Sequence, residues 1–181
     1  VARRRLDPQA RRAAILNAAI EAFDEADPDR VNLEAVAERA GVSRALVYTY
    51  FSNRQGLFRA VFHELLGELG ASLAGALEGA ATSEERFGRW ITTLAGYARS
   101  HPNRWQVIRW NVLTPDPELG DGLPDLLHQV VPEGSQVDPL ALTALLGMVD
   151  WTAERLDEEA TWRLAAFAWS GASSLSRPKP E

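Results

Sequence analysis

Positive charge in this chain rests almost wholly on guanidinium groups, since Lys179 is the single lysine among nineteen basic residues. A guanidinium offers a planar, bidentate donor pair, suited to base edges, carboxylates and phosphates. Covalent and metal chemistry is poorly provided for. With no Cys there is no thiol nucleophile, no disulfide framework and no thiolate zinc site. His63, His101 and His128 lack metal-ligand spacing, and His63-Glu64 has no second His four residues on. No glycine-rich loop follows a strand, because no segment alternates as a half-buried strand does. Binding is expected here rather than catalysis, with no cofactor and no metal.

The 181 residues make one compact domain, or a small domain carrying a larger partner. Apolar residues make up 46% and charged residues 24%, ordinary globular usage that argues against disorder. No apolar run approaches the roughly 20 residues that cross a bilayer. Val1-Ala-Arg-Arg-Arg-Leu-Asp-Pro8 does not lead into the apolar stretch of a secretory signal. A soluble, cytoplasmic protein with no membrane partner is expected. Its charge is unevenly shared. Residues 1–60 hold ten Arg and eight acids, net +2, whereas 61–181 hold nine basic residues and seventeen acids, net −8. All six Trp lie in the second part, and such asymmetry suggests a division of labour.

Helical spacing runs through the whole chain. Asp7-Pro8 opens a first helix, with Asp7 expected to accept its free amides. Ile15, Ala19 and Phe23 share one face, and Pro28 ends the helix. Asn32 is the expected cap of a short second helix that stops before Gly41, which suits the left-handed C-terminal position. Ser43 caps a third, Arg44 to about Tyr50. Ser52 or Asn53 caps a fourth, and Ser52 with Gln55 fits a capping box. Its stripe is Phe58, Phe62, Leu65, Leu66, Leu69, Leu73 and Leu77. Thr82 or Ser83 starts a fifth, ending near His101-Pro102, and a sixth runs from about Asn103 to Leu113. Thr114 to Pro124 reads as a loop before a short helix, Asp125 to Val131. Asp138-Pro139 begins a long helix to about Leu156, and Asp157 caps the last, to about Ser176. The fold class expected is all-α, about nine helices.

Two short helices joined by Gly41-Val42-Ser43 have the dimensions of a DNA-binding helix-turn-helix, and equally those of an ordinary corner between bundle helices. The residues around the turn separate the two. Gly41-Val-Ser-Arg-Ala-Leu-Val-Tyr48-Thr-Tyr50-Phe51-Ser-Asn-Arg54-Gln-Gly-Leu57-Phe58 strongly resembles the tetracycline-repressor-like (TetR) family of transcriptional regulators. So do Ile15-Leu-Asn-Ala-Ala-Ile-Glu-Ala-Phe23 and Leu33-Glu-Ala-Val-Ala-Glu-Arg-Ala-Gly41. The resemblance covers about residues 10–60. It implies a three-helix DNA-binding head and a larger helical ligand-binding and dimerisation body. It further implies a homodimer that binds a palindromic double-stranded DNA operator and is released by a small-molecule effector. The domains expected are a head at 1–56, a linking helix at 57–80, a body at 81–177 and a loose tail at 178–181. The chain departs from the family in lacking Gly near Asp27-Pro28, in having Leu46 where a hydroxyl is common, and in carrying Arg54 where Lys is usual.

Within that frame Arg44, in the first turn of the third helix, is expected to reach guanine O6 and N7 as a fork, the alternatives being a phosphate contact or plain solvation. Beside Ser43, Ala45 and Thr49 offer methyl contacts to thymine. Tyr48 and Tyr50 belong to the DNA surface, unless Tyr50 packs beside Phe51. Arg54 combines its charge with the unpaired amides of a helix start, a phosphate clamp. Asn32 caps its helix and is a candidate phosphate contact, although capping alone explains it. Arg3, Arg4 and Arg5 make either a groove-binding arm or a solubilising tail.

In the body, Leu142, Leu145, Leu146 and Val149 with Trp162, Ala165, Ala166, Trp169 and Ala172 are expected at a four-helix dimer interface, although part of these faces must fill the subunit's own core. Phe87, Trp90, Tyr97, Trp105, Trp110, Met148 and Trp151 form an aromatic-rich set expected to line a pocket for a largely apolar ligand. Arg109 and Asp150 interrupt apolar runs there and are either polar anchors of the pocket or ordinary solvated or paired residues. The rival reading is a helical adaptor that binds protein and not DNA.

Overall fold

The computed structural model describes residues 7–26, 30–113, 126 and 139–175. Among them there is no strand, and eight helices follow one another. These are α1 (Pro8–Glu25), α2 (Leu33–Arg39), α3 (Arg44–Phe51), α4 (Arg54–Leu77), α5 (Ser83–Ser100), α6 (Pro102–Leu113), α7 (Pro139–Arg155) and α8 (Glu158–Leu175). The all-α expectation holds. The loop at 114–124, nearly all of the helix expected at 125–131, the arginines at 3–5 and the tail lie outside the described residues.

Local chemistry sets most helix starts. Asn32 Oδ1 accepts from the Ala35 amide at 2.8 Å, Ser43 Oγ from Leu46 at 3.3 Å, and Thr82 Oγ1 from Glu85 at 3.0 Å. Asp157 Oδ1 accepts from Ala160 at 2.8 Å. Each such cap contributes about 1 kcal/mol to its helix. One expectation is corrected, and one of two alternatives is borne out. Asp7 makes no side-chain cap, and its main-chain carbonyl accepts from Arg11 instead. Asn53, not Ser52, caps α4, accepting from the Gly56 amide at 2.7 Å. Ser52 turns the chain with a φ of 61°, which takes its hydroxyl out of capping position.

The turn after α2 is closed by two crossed bonds, Val42 N–H to Ala37 O and Gly41 N–H to Glu38 O, both 3.0 Å. This is the pairing of a Schellman motif, and Gly41 supplies the φ of 64° it requires. At the next corner a Cβ on Gly56 would run into the Phe51 carbonyl oxygen. Only glycine lets the start of α4 lie so close to the end of α3.

One apolar core runs from end to end. Ile15, Ala19 and Phe23 of α1 meet Val36 of α2, Val47 and Phe51 of α3, and Leu57 and Val61 of α4. Further along α4, Leu65, Leu69 and Leu73 are completely buried, each stabilising the fold by roughly 1.5–3 kcal/mol relative to exposure. In the C-terminal part α5 is the hub, packed by α4, α6, α7 and α8.

Candidate nucleic-acid interface

Burying Val47 and Phe51 fixes which way α3 faces. Arg44, Ala45, Tyr48 and Thr49 are left on the exposed side, with Ser43 exposed at its start. Arg44 is not free there. Its Nη2 donates to the Tyr48 hydroxyl at 3.0 Å, and its guanidinium carbon lies 5.3 Å from that ring's centre. Its Nη1 is paired with the Glu34 carboxylate of α2. Tyr48 and Glu34 together raise the Arg44 pKa above its ordinary value. The Thr49 hydroxyl donates back to the Ala45 carbonyl at 3.0 Å.

The other expected contacts fall into place less uniformly. Tyr50 is half-buried and packs against the core, the alternative its position left open. Asn32 spends its carbonyl oxygen on capping α2. Arg54 is exposed at the first position of α4, and its Nε donates to the Val31 carbonyl at 3.1 Å. It therefore ties α4 to the chain entering α2 while its charge remains at the surface. Sequence reasoning passed over Glu34. An acid in the first turn of a helix is ordinary, and only the folded corner between α2 and α3 puts it beside Arg44.

Among the described residues, the nine expected to share a pocket lie in different surroundings. Trp90 is completely buried, its indole donating to the Leu126 carbonyl at 3.2 Å. Phe87 packs in the core with its ring 5.5 Å from that of Trp169. Met148 packs half-buried against the same core. Trp110 and Trp151 are 50% and 47% exposed. Tyr97 lies where α5 meets α4 and α6, and its hydroxyl is buried without a hydrogen-bond partner among the described residues. Only Trp105, Arg109 and Asp150 come together, beside Gln106 and Glu154 in a cleft of about 160 Å³ between α5, α6 and α7. Arg109 and Asp150 pair with each other, and the Trp105 indole donates to Asp150 at 2.5 Å. The period of an apolar helix names a face, not the neighbour it meets.

The expected dimer residues divide similarly. Leu146, Val149 and Ala165 are buried inside the subunit, which removes them from any surface. Leu145, Ala166 and Trp169 are half-buried, and Trp162 lies against Gly88 with one side exposed. The side chains of Leu142 and Ala172 lie outside the described residues. Phe167, not singled out from sequence, is 75% exposed on α8.

Among the described residues no group of His, Asp and Glu has the geometry to hold a metal. None of their helices is long and apolar enough to cross a membrane.

A three-helix unit with its turn closed around Gly41 and the polar side of α3 outward defines the helix-turn-helix class. Residues 15–61 match the family described as bacterial regulatory proteins, tetR family. The match covers the three-helix unit and the start of α4. An HTH-type transcriptional regulator of Mycobacterium tuberculosis is 31% identical over 107 residues, 59% of this chain and 52% of the relative. The HTH-type transcriptional regulator BetI of Rhizobium meliloti is 36% identical over 76 residues, 42% of this chain and 37% of BetI. The chain spans about half the length, or less, of these curated relatives. Among solved structures, a TetR-like regulator from Rhodococcus sp. RHA1 superposes with a TM-score of 0.67 at 21% identity, covering 93% of this chain and 99% of that one. The regulator FadR of Bacillus subtilis, solved in complex with stearoyl-CoA, gives 0.60 at 20% identity, over 85% and 95%. At these identities the likeness is one of fold.

Proposed function

We propose that this chain is a ligand-responsive transcriptional regulator that docks α3 in the major groove of a palindromic operator as a homodimer. The observation that carries this reading is the division of α3. Val47 and Phe51 lock it to α1 and α4, while Arg44, Ala45, Tyr48 and Thr49 remain exposed. Arg44 reads guanine, Ala45 and Thr49 contact thymine methyls, and Arg54 meets phosphate, with Ser43 and Tyr48 on the same exposed surface. Binding represses in the cytoplasm, and a small, largely apolar molecule releases the DNA.

The candidate effector site in the body is the cleft of Trp105, Arg109 and Asp150, with the paired charges as its polar anchors; at about 160 Å³ it would have to widen to reach the roughly 300–1,000 Å³ usual for such sites. A fold shared with a regulator solved with stearoyl-CoA agrees with an effector that is in large part apolar. Exposed aromatic area on α7 and α8, at Trp151, Trp162 and Phe167, supports a dimer formed through those helices. Twofold symmetry then sets the heads about 34–36 Å apart, one turn of DNA.

Selection of bound duplexes from a random pool tests the reading. A two-half-site motif spaced by one helical turn, bound with steep salt dependence, is the expected result. Absence of salt-sensitive binding to any duplex would favour a protein-binding adaptor.

A further inference from the structure

The contact between Glu34 and Arg44 places a carboxylate inside the surface that would face a polyanion. We infer that Glu34 is a specificity-determining residue, holding the Arg44 guanidinium for a guanine edge and away from phosphates. The inference rests on the DNA-binding reading above and deepens it.

Each Nη of a guanidinium carries two hydrogens. Glu34 takes a hydrogen on Nη1 and the Tyr48 hydroxyl one on Nη2. One hydrogen on each nitrogen is left, the number that guanine O6 and N7 accept. The hold comes from two elements, α2 and the next turn of α3, with the Tyr48 ring beside the guanidinium. Side-chain freedom is therefore restricted before DNA arrives, and less is lost on binding.

The same carboxylate discriminates. Where the facing base edge offers two acceptors, Arg44 binds it without leaving Glu34. Where it does not, Arg44 gains most by swinging to a phosphate, and that move strands Glu34 unpaired beside the DNA backbone. The carboxylate thus penalises wrong sites more than right ones, which is how a repulsive group produces specificity. Both side chains are more than half exposed, so replacing either disturbs little packing.

The test measures affinity for a selected duplex and for a random one, across a salt series, with wild type, Glu34→Gln, Arg44→Ala and the double variant. Glu34→Gln is expected to bind random duplex about three- to tenfold more tightly and to raise its salt slope by about one, as a freed Arg44 reaches phosphate. The ratio of selected to random affinity should fall accordingly. On the Arg44→Ala background the same change should leave that ratio unaltered, because no guanidinium remains to be held. If Glu34→Gln keeps the wild-type ratio and slope while wild type binds its selected duplex, the inference fails and the DNA-binding reading stands. If wild type itself shows no salt-dependent binding, the reading fails and takes the inference with it.

Discussion

Arg104 of α6 donates to the Asp24 carboxylate near the end of α1 at 2.6 Å. It also lies 3.4 Å from the Glu68 carboxylate of α4. Asn103 adds a bond to the Asp24 carbonyl at 2.8 Å. The helix-turn-helix unit is therefore fastened to the C-terminal helices by polar contacts from α6 as well as by the apolar stripe of α4.

Replacing Arg104 by Met should loosen that junction. The side chain is only 19% exposed, and losing its charged hydrogen bonds to Asp24 should cost about 1.5–3 kcal/mol. Denaturant unfolding should show the loss, and effector release of DNA should weaken while operator affinity holds. An unchanged midpoint would mean that the pair does not fasten the two parts.

Arg54→Ala should reduce affinity for all duplexes alike and lower the salt slope by about one. It should also destabilise the fold by about 0.5–1.5 kcal/mol through the lost bond to the Val31 carbonyl. Arg54→Lys, which restores the charge, should recover the slope. A sequence-dependent loss of affinity would instead assign Arg54 to base contacts.

If the proposed dimer forms through α7 and α8, Phe167→Glu should split it without unfolding the subunit. The ring is mostly exposed, so its removal leaves little cavity, whereas a carboxylate in a twofold interface meets its own copy. Solution mass at micromolar concentration should drop to one chain with the far-ultraviolet spectrum retained. A variant that stays dimeric moves the interface elsewhere.

Tyr97 makes an alkaline prediction. Burial, aided by the Glu68 charge, pushes its hydroxyl up from 10.0 to about 12. The unfolded chain therefore releases this proton first. Tyr97 contributes stability that is intact below pH 10 and is lost as pH rises towards 12. Phenolate absorbance should show one of the three tyrosines titrating late, and Tyr97→Phe should remove that late step. Three equal titrations would place Tyr97 in water.

How much was legible follows from how local each cause is. Caps at Asn32, Ser43, Thr82 and Asp157 act within three residues, and each can be read from sequence order. The Gly41 turn is equally local. Ser52 and Asn53 stand side by side with the same capping chemistry, and only the φ of Ser52 decides between them. Contacts across the fold were out of reach. Asp150 is 41 positions from its partner Arg109, and periodicity alone does not bring them together. The same holds for Leu146 and Ala165, whose burial depends on how α7 and α8 dock on α5.

The close corner at Gly56 has a mechanical meaning. With the first turn of α4 pressed against the last carbonyl of α3, the two helices cannot swing independently there. α4 has 24 residues, which makes it about 36 Å long. Pivoting it by about 5° at its far end sweeps the corner through about 3 Å, close to the roughly 3.4 Å step between stacked bases. If α3 docks on DNA as proposed, such a rotation would shift it by close to one base-pair step. The close corner at one glycine thus makes α4 a lever for α3.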